Sequence, residues 1–134
     1  MFNHRKFDRK MDMNILEIFL RKRGDLSKVN FDFFPPTGVI VFHTEKPIVL
    51  GFMIKCDNNT CINTDIISDP DTDKTVRNLA VIHLREALSD EAKKCGIPYI
   101  IATTNNPKLA ERLKDQGYTV INENLTHLGR PTWL

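Results

Sequence analysis

The spacing of apolar residues changes twice along the chain. In MNILEIFLRK, Ile15, Leu16, Phe19 and Leu20 recur every three or four residues, which predicts an amphipathic helix over about residues 12 to 23, closed by Gly24. Three runs rich in β-branched and aromatic residues follow: VIVFH at 39 to 43, PIVLGFMIKC at 47 to 56 and CINTDIIS at 61 to 68. Only the turn sequences TEK and DNNT separate them, so they read as an antiparallel meander. From Asp73 to Cys95 the period becomes helical again. Ala80, Leu84, Ala87, Leu88, Ala92 and Cys95 share one face, while Glu86, Asp90, Lys93 and Lys94 lie away from it. Thr72 or Asp73 can cap this helix, and Gly96 follows its end. PYIIATT predicts a strand, and Asn106-Pro107 opens a short helix with Leu109, Ala110 and Leu113 inside and Gly117 at its end. YTVIN predicts one more strand, and LTHLGRPTWL a last one that breaks or finishes near Gly129-Arg130-Pro131.

Between the first helix and the meander, VNFDFFPPTG carries three phenylalanines and a Pro-Pro pair that excludes regular helix. It reads as a connector whose rings fill the edge of the core, with an aromatic substrate groove as the alternative. The order of elements is that of an α/β domain in which helices cover a mixed sheet. With 134 residues, 41% of them apolar, the chain has material for one domain over residues 1 to 134 and no obvious linker.

Charge and cysteine content narrow the function classes. Nineteen basic residues against seventeen acidic ones give no general case for binding nucleic acid or an anionic membrane. Locally, Arg5, Lys6, Arg9 and Lys10 could make residues 1 to 11 a basic flexible arm; solvated charges on a terminus are the plainer reading. No window approaches the roughly 20 apolar residues of a membrane span, and the opening segment has no apolar signal core, so the expectation is a cytoplasmic protein. Cys56, Cys61 and Cys95 include no CxxC pair, and the four histidines are scattered, so no metal site is expected. Reduced thiols are the default, although a Cys56–Cys61 disulfide across a hairpin is geometrically conceivable.

Three segments together resemble the GNAT superfamily of acyl-CoA N-acyltransferases. GVIVFHTEKPIVLGFMI looks like the family's paired strands, DIISDP leading into the long helix looks like its cofactor segment, and TTNNPKLAERLKDQGYTVI is similar to the segment after its next strand. The likeness spans about residues 38 to 122. It implies a GNAT-like mixed, mostly antiparallel central sheet flanked by helices, with acetyl-CoA or another acyl-CoA as cofactor and an amine-bearing acceptor. By resemblance, pantetheine pairs with exposed backbone over Thr64 to Ser68, hence Ile66, Ile67 and Ser68. The diphosphate sits at the start of the long helix, near Lys74, Thr75, Arg77 and Asn78, while Asn106 matches a family asparagine and Asp65 is the candidate general base. A helix start attracts an anion in any family, through unpaired amides and the positive end of the dipole.

The chain also departs from the pattern. Family members usually carry a Q/R-x-x-G-x-G/A loop whose glycines let backbone curl around phosphate. Here no glycine lies between Gly51 and Gly96, and Lys74 to Ala80 fits the motif in more than one register. Asp69, Asp71 and Asp73 repel a diphosphate unless they point away, and Asp73 has helix capping as an alternative role. Leu113 stands where the family often keeps a proton-donating tyrosine, and neither Tyr99 nor Tyr118 fits that place. For Asp65 a solvent-facing strand residue is the plainer reading, and His83, which borders the polar helix face, reads as exposed; His43 and His127 have no anchor. No GxSxG, P-loop or Cys-His signature supports another enzyme class. Two functions remain: an N-acyltransferase with an atypical glycine-free loop, or a catalytically inactive GNAT-fold binding or regulatory protein. The second would use Arg130 and Trp133 of the tail in a homodimer or with a protein partner.

Overall fold

A computed structural model describes residues 1–104 and 106–121. The chain divides into two units, Met1–Ala102 and Thr103–Leu134. The first unit contains β1 (Phe2–Lys6), α1 (Arg9–Lys22), short 3-10 turns at Leu26–Lys28 and Phe31–Phe33, β2 (Thr37–His43), β3 (Lys46–Lys55), β4 (Thr60–Ser68), α2 (Lys74–Lys94) and β5 (Tyr99–Ile101). Its five strands lie in chain order, antiparallel from β1 to β4, with β5 parallel to β4. This is the expected α/β class with a mixed, mostly antiparallel sheet, and the meander is β2 to β4.

The alternation along each strand supplies two cores, one on each face of the sheet. Val39, Val41, Val49, Met53 and Cys61 pack with Ala80, Leu84, Leu88 and Ala92 of α2. Ile40, Leu50 and Phe52 pack on the opposite face with Leu16, Phe19 and Leu20 of α1 and with Phe34 from the connector. The Phe52 ring is fully buried between Phe7 and Phe34, at centroid distances of 5.0 and 5.1 Å. The Pro-containing connector thus fills the core edge, as its composition predicts.

Two helix boundaries show local chemistry setting geometry. α1 begins at Arg9, three residues before the expected start at about residue 12, because the Asp8 side chain accepts hydrogen bonds from the Lys10 and Met11 amides. α2 begins after Asp73, whose carboxylate accepts from the Thr75 and Val76 amides at 3.0 and 3.3 Å. Five of the six residues assigned to the inner face of α2 are buried; Cys95, at the C-cap, is exposed. The helix has already ended there, so its period no longer points the side chain inward. Arg85 and Glu91 are buried despite their charge, and Glu91 pairs with Lys6 at 3.0 Å.

The N-terminal segment is not a free basic arm. Phe2 to Lys6 pair with His43 to Val39 as the edge strand, and Arg9 to Met11 belong to α1. Its side chains are placed by alternation: Phe2, His4 and Lys6 reach the α2 side, while Arg5 reaches Asp12 of α1. His83 is likewise half-buried rather than exposed, with its Nε2 2.8 Å from Nδ1 of His4. Burial, aided by His4, pushes the His83 pKa below the usual imidazole value. The folded protein then resists taking up the proton that the unfolded chain accepts near pH 6.5. Stability is therefore retained above that value and lost as pH falls from it toward the folded-state pKa. Thermal unfolding followed by circular dichroism at pH 7.5 and 5.5 should show a drop in midpoint that His83→Gln reduces. Equal drops in both proteins would clear the histidine pair of that role.

All three cysteines are free. The β3–β4 register sets Cys61 opposite Lys55, while the Cys56 amide bonds the Thr60 carbonyl, so the conceivable Cys56–Cys61 bridge is not formed. In the second unit, α3 (Pro107–Asp115) starts at the Asn106 cap and ends before Gly117, which adopts φ +94°. Residues 118–121, expected as a strand, belong to none, and Val120 and Ile121 are exposed; no strand pairs with them among the described residues. The tail, with His127, Arg130 and Trp133, lies outside the described residues.

Candidate functional site

β4 is bonded unequally along its two edges. It pairs with β3 almost throughout, but with β5 only through Thr60, Cys61 and Ile62. From Asn63 to Ser68 no strand of the first unit is paired to that second edge, among the described residues. Backbone groups that point out of such an edge are a template for another extended chain or an amide-bearing ligand.

A β-bulge falls in this open half. Leu50 faces Ile67 and Phe52 faces Thr64, so Gly51 alone opposes both Asp65 and Ile66. Asp65 takes φ +42°, a value that L side chains rarely adopt. Opposite the bulge, Gly51 makes room for α2: a Cβ there would come within 2.8 Å of Leu84 Cδ2, while 3.5 Å to Ile66 Cγ1 is an ordinary contact. A bulge bends and twists its strand. This one lies just beyond the last residue paired with β5.

Asp65 and Ile66 are exposed, Ile67 packs against the α1-side core, and Ser68 is buried. Arg23, at the end of α1, holds Ser68 through Nε to its carbonyl, at 2.8 Å, and through Nη2 to its hydroxyl. The three aspartates after it are each already engaged. Asp69 is buried, accepts from the Asp71 amide and pairs with Lys22 at 3.2 Å; Asp71 pairs with Lys22 at 3.1 Å; Asp73 caps α2. Hydrogen bonds to Asp71 and Asp69 raise the Lys22 pKa. Beyond the cap, Lys74 and Thr75 are exposed, Arg77 donates to the Pro70 carbonyl at 3.4 Å, and Asn78 is half-buried. Among the described residues, two buried hydroxyl oxygens, Thr64 Oγ1 and Thr72 Oγ1, have no hydrogen-bond partner. Among the described residues, no three His, Cys, Asp or Glu side chains gather as a metal site, and no helix is long and apolar enough to cross a membrane.

No family model matches the sequence, and neither does any curated protein. Solved structures do match the fold. An aminoglycoside N-acetyltransferase in complex with CoA is 11% identical, with a TM-score of 0.68 over 96% of this chain and all of that one. An acetyltransferase from Trypanosoma brucei is 12% identical, with a TM-score of 0.65 over 97% of this chain and 100% of its own. An acetyltransferase of the GNAT family from Staphylococcus aureus is 16% identical, with a TM-score of 0.59 over 87% of this chain and 81% of its own. This chain has the GNAT fold.

Against the GNAT expectations, the structure keeps Asp65, Ile66, Ile67 and Ser68 together on the open half of β4 and Lys74, Thr75, Arg77 and Asn78 in the first turns of α2. Asn106 belongs to the second unit, where its side-chain oxygen accepts from the Lys108 and Leu109 amides as the cap of α3. Leu113, in the tyrosine's place, is a buried residue of that helix. The two parts of the first-unit site differ in how they suit an acyl-CoA. The open strand edge and the unpartnered Thr64 hydroxyl suit an amide-bearing pantetheine arm. The α2 tip suits a diphosphate less well, since Asp73 occupies two of its amides and no glycine curls the backbone there.

Sequence reasoning missed Lys22 and Arg23 as site residues, and included Thr64 only for its backbone. Lys22 and Arg23 had a legible charge but lie about 45 residues from their partners, as Arg23 does from Ser68. The Thr64 hydroxyl became visible only through the register that buries it.

Proposed function

We propose that the protein is an acyl-CoA-dependent N-acyltransferase that moves an acetyl group to an amine. The observation that carries this reading is the strand β4, paired with β5 over three residues and bulged at Asp65 in its open half. A bound acyl-CoA would supply an activated acyl carbonyl, and the attacking amine forms the new C–N bond as the C–S bond breaks and the thiolate leaves. The residues named for it are Ile66, Ile67 and Ser68 along the strand, with Lys74, Thr75, Arg77 and Asn78 toward the diphosphate. Asp65, exposed at the bulge, is the candidate to take the proton that the amine must lose. Its position at the strand surface keeps it open to solvent, so a water can relay that proton. Amine-bearing acceptors are consistent with the aminoglycoside acetyltransferases that share the fold. Cytoplasmic location fits this chemistry and the free thiols.

Isothermal titration with acetyl-CoA and desulfo-CoA tests the reading. Binding of both in the micromolar range is expected, and no binding of either at millimolar concentration would overturn it. The second reading, a GNAT-fold binding protein without catalysis, has its own support in the self-capped α2 tip and in Leu113. It predicts that neither ligand binds. The tail carrying Arg130 and Trp133 is the candidate surface for a homodimer or a protein partner, and deleting residues 128 to 134 would then change the mass in solution.

A further inference from the structure

Thr64 lies opposite Phe52 in the β3–β4 ladder, so its side chain stands on the sheet face that carries α1. It follows Ile62, the last β4 residue paired with β5, by two positions and directly precedes Asp65 with its φ of +42°. Its Oγ1 is buried and, among the described residues, without a hydrogen-bond partner. Folded proteins leave few such groups, because a hydroxyl removed from water loses its hydrogen bonds and gains nothing in return. A valine would fill the same β-branched volume on a strand without that loss. Nothing in the folding of β4 therefore accounts for a hydroxyl at this place.

Position along the strand says what kind of atom it awaits. The corner that leads to α2 begins at Asp69, five residues from Thr64, or roughly 17 Å along an extended strand. A cofactor held with its diphosphate toward that corner and its arm along residues 68 to 64 has its acyl end at the bulge. The other hydroxyls nearby do not compete. Ser68 is bonded to Arg23, and Thr72 sits at the α2 corner itself. On the acyl-CoA reading above, we infer that Thr64 is an acyl-group contact: its Oγ1–H donates a hydrogen bond to the acyl carbonyl oxygen. That bond fixes the carbonyl toward the incoming amine and supports the negative charge that grows on the oxygen during transfer.

The test compares wild type, Thr64→Val and Thr64→Ser as full chains, by isothermal titration with acetyl-CoA and with CoA, and by thermal unfolding without ligand. Thr64→Val should bind acetyl-CoA about 3- to 10-fold more weakly, as expected for one neutral hydrogen bond, with CoA affinity unchanged. Its unfolding midpoint should equal or exceed that of wild type, and Thr64→Ser should restore acetyl-CoA affinity. Equal losses for both ligands would move the contact away from the acyl group and overturn the assignment. So would unchanged affinity for both, or a midpoint several degrees lower, which would reveal a partner inside the fold. Wild type binding neither ligand overturns the acyl-CoA reading and this one together. Wild type binding both, with Thr64→Val indistinguishable, overturns this one alone.

Discussion

Asp12→Asn is expected to lower the stability of the protein by about 2 kcal/mol at neutral pH, less than the roughly 3–5 kcal/mol for breaking a fully buried ion pair. Asp12 is 1% exposed and sits in the first turn of α1. Both its oxygens accept from the Arg5 guanidinium, and Oδ2 also accepts from the Asp8 amide at 2.7 Å. The group thus ties the edge strand β1 to α1 and closes the turn at which α1 begins. Arg5 is 42% exposed and rests over the Phe42 ring at 5.2 Å, so the guanidinium freed by the substitution can return to water. That relief keeps the cost below what two fully buried charges would give. Burial drives the Asp12 pKa upward, but the bonds from Arg5 and the Asp8 amide, with the guanidinium charge, outweigh it and hold the carboxyl below its ordinary 3.8. A depressed folded-state pKa stabilises the fold fully above the unfolded value, and that stability is lost as pH falls through the folded value. Urea unfolding should therefore show a wild-type advantage at pH 7 that shrinks below about pH 4. An Asp12→Asn variant with the wild-type midpoint at pH 7 would mean that the pair contributes nothing.

The pair also marks where reading the sequence stopped. The helices and the meander were legible because each depends on a local period: Leu16, Phe19 and Leu20 on one helix face, and the alternating residues of β2 and β3 on two sheet faces. The layer order followed from those periods, and the open half of β4 from the resemblance they supported. What was not legible depends on pairing across the chain. Arg5 and Lys6 look like an arm until β2 supplies backbone partners and Asp12 and Glu91 supply charges. Asp69 and Asp71 look like a barrier to phosphate until Lys22 pairs with both, whereas Asp73 keeps its charge at the α2 tip. In the same way, Cys95 fits the α2 stripe but is exposed, because the period cannot tell where the cap falls. The bulge at Asp65 has a sequence counterpart in Gly51, yet only the register shows that the glycine faces two residues.

Removing the Asp73 carboxylate should move stability and acyl-CoA affinity in opposite directions. As the α2 cap, Asp73 satisfies the Thr75 and Val76 amides, so Asp73→Ala is expected to cost about 1 kcal/mol of stability. The same change exposes those two amides and deletes a negative charge at the positive end of a 21-residue helix. If a diphosphate binds there, its affinity should rise on the order of 10-fold, since a like charge at short range in a partly wet site is worth about 1 kcal/mol or more. Asp73→Asn separates the two contributions. Asparagine caps about as well as aspartate, so stability should stay near wild type while the loss of charge alone strengthens binding several-fold. Titration with acetyl-CoA at two salt concentrations reads both effects, because the advantage of Asp73→Asn should shrink as salt screens the charge it removes. Affinities that stay at the wild-type value in both variants would place the diphosphate away from the α2 tip. An acyl-CoA on the open edge of β4 would then have to rest its diphosphate on a surface other than the first turns of α2.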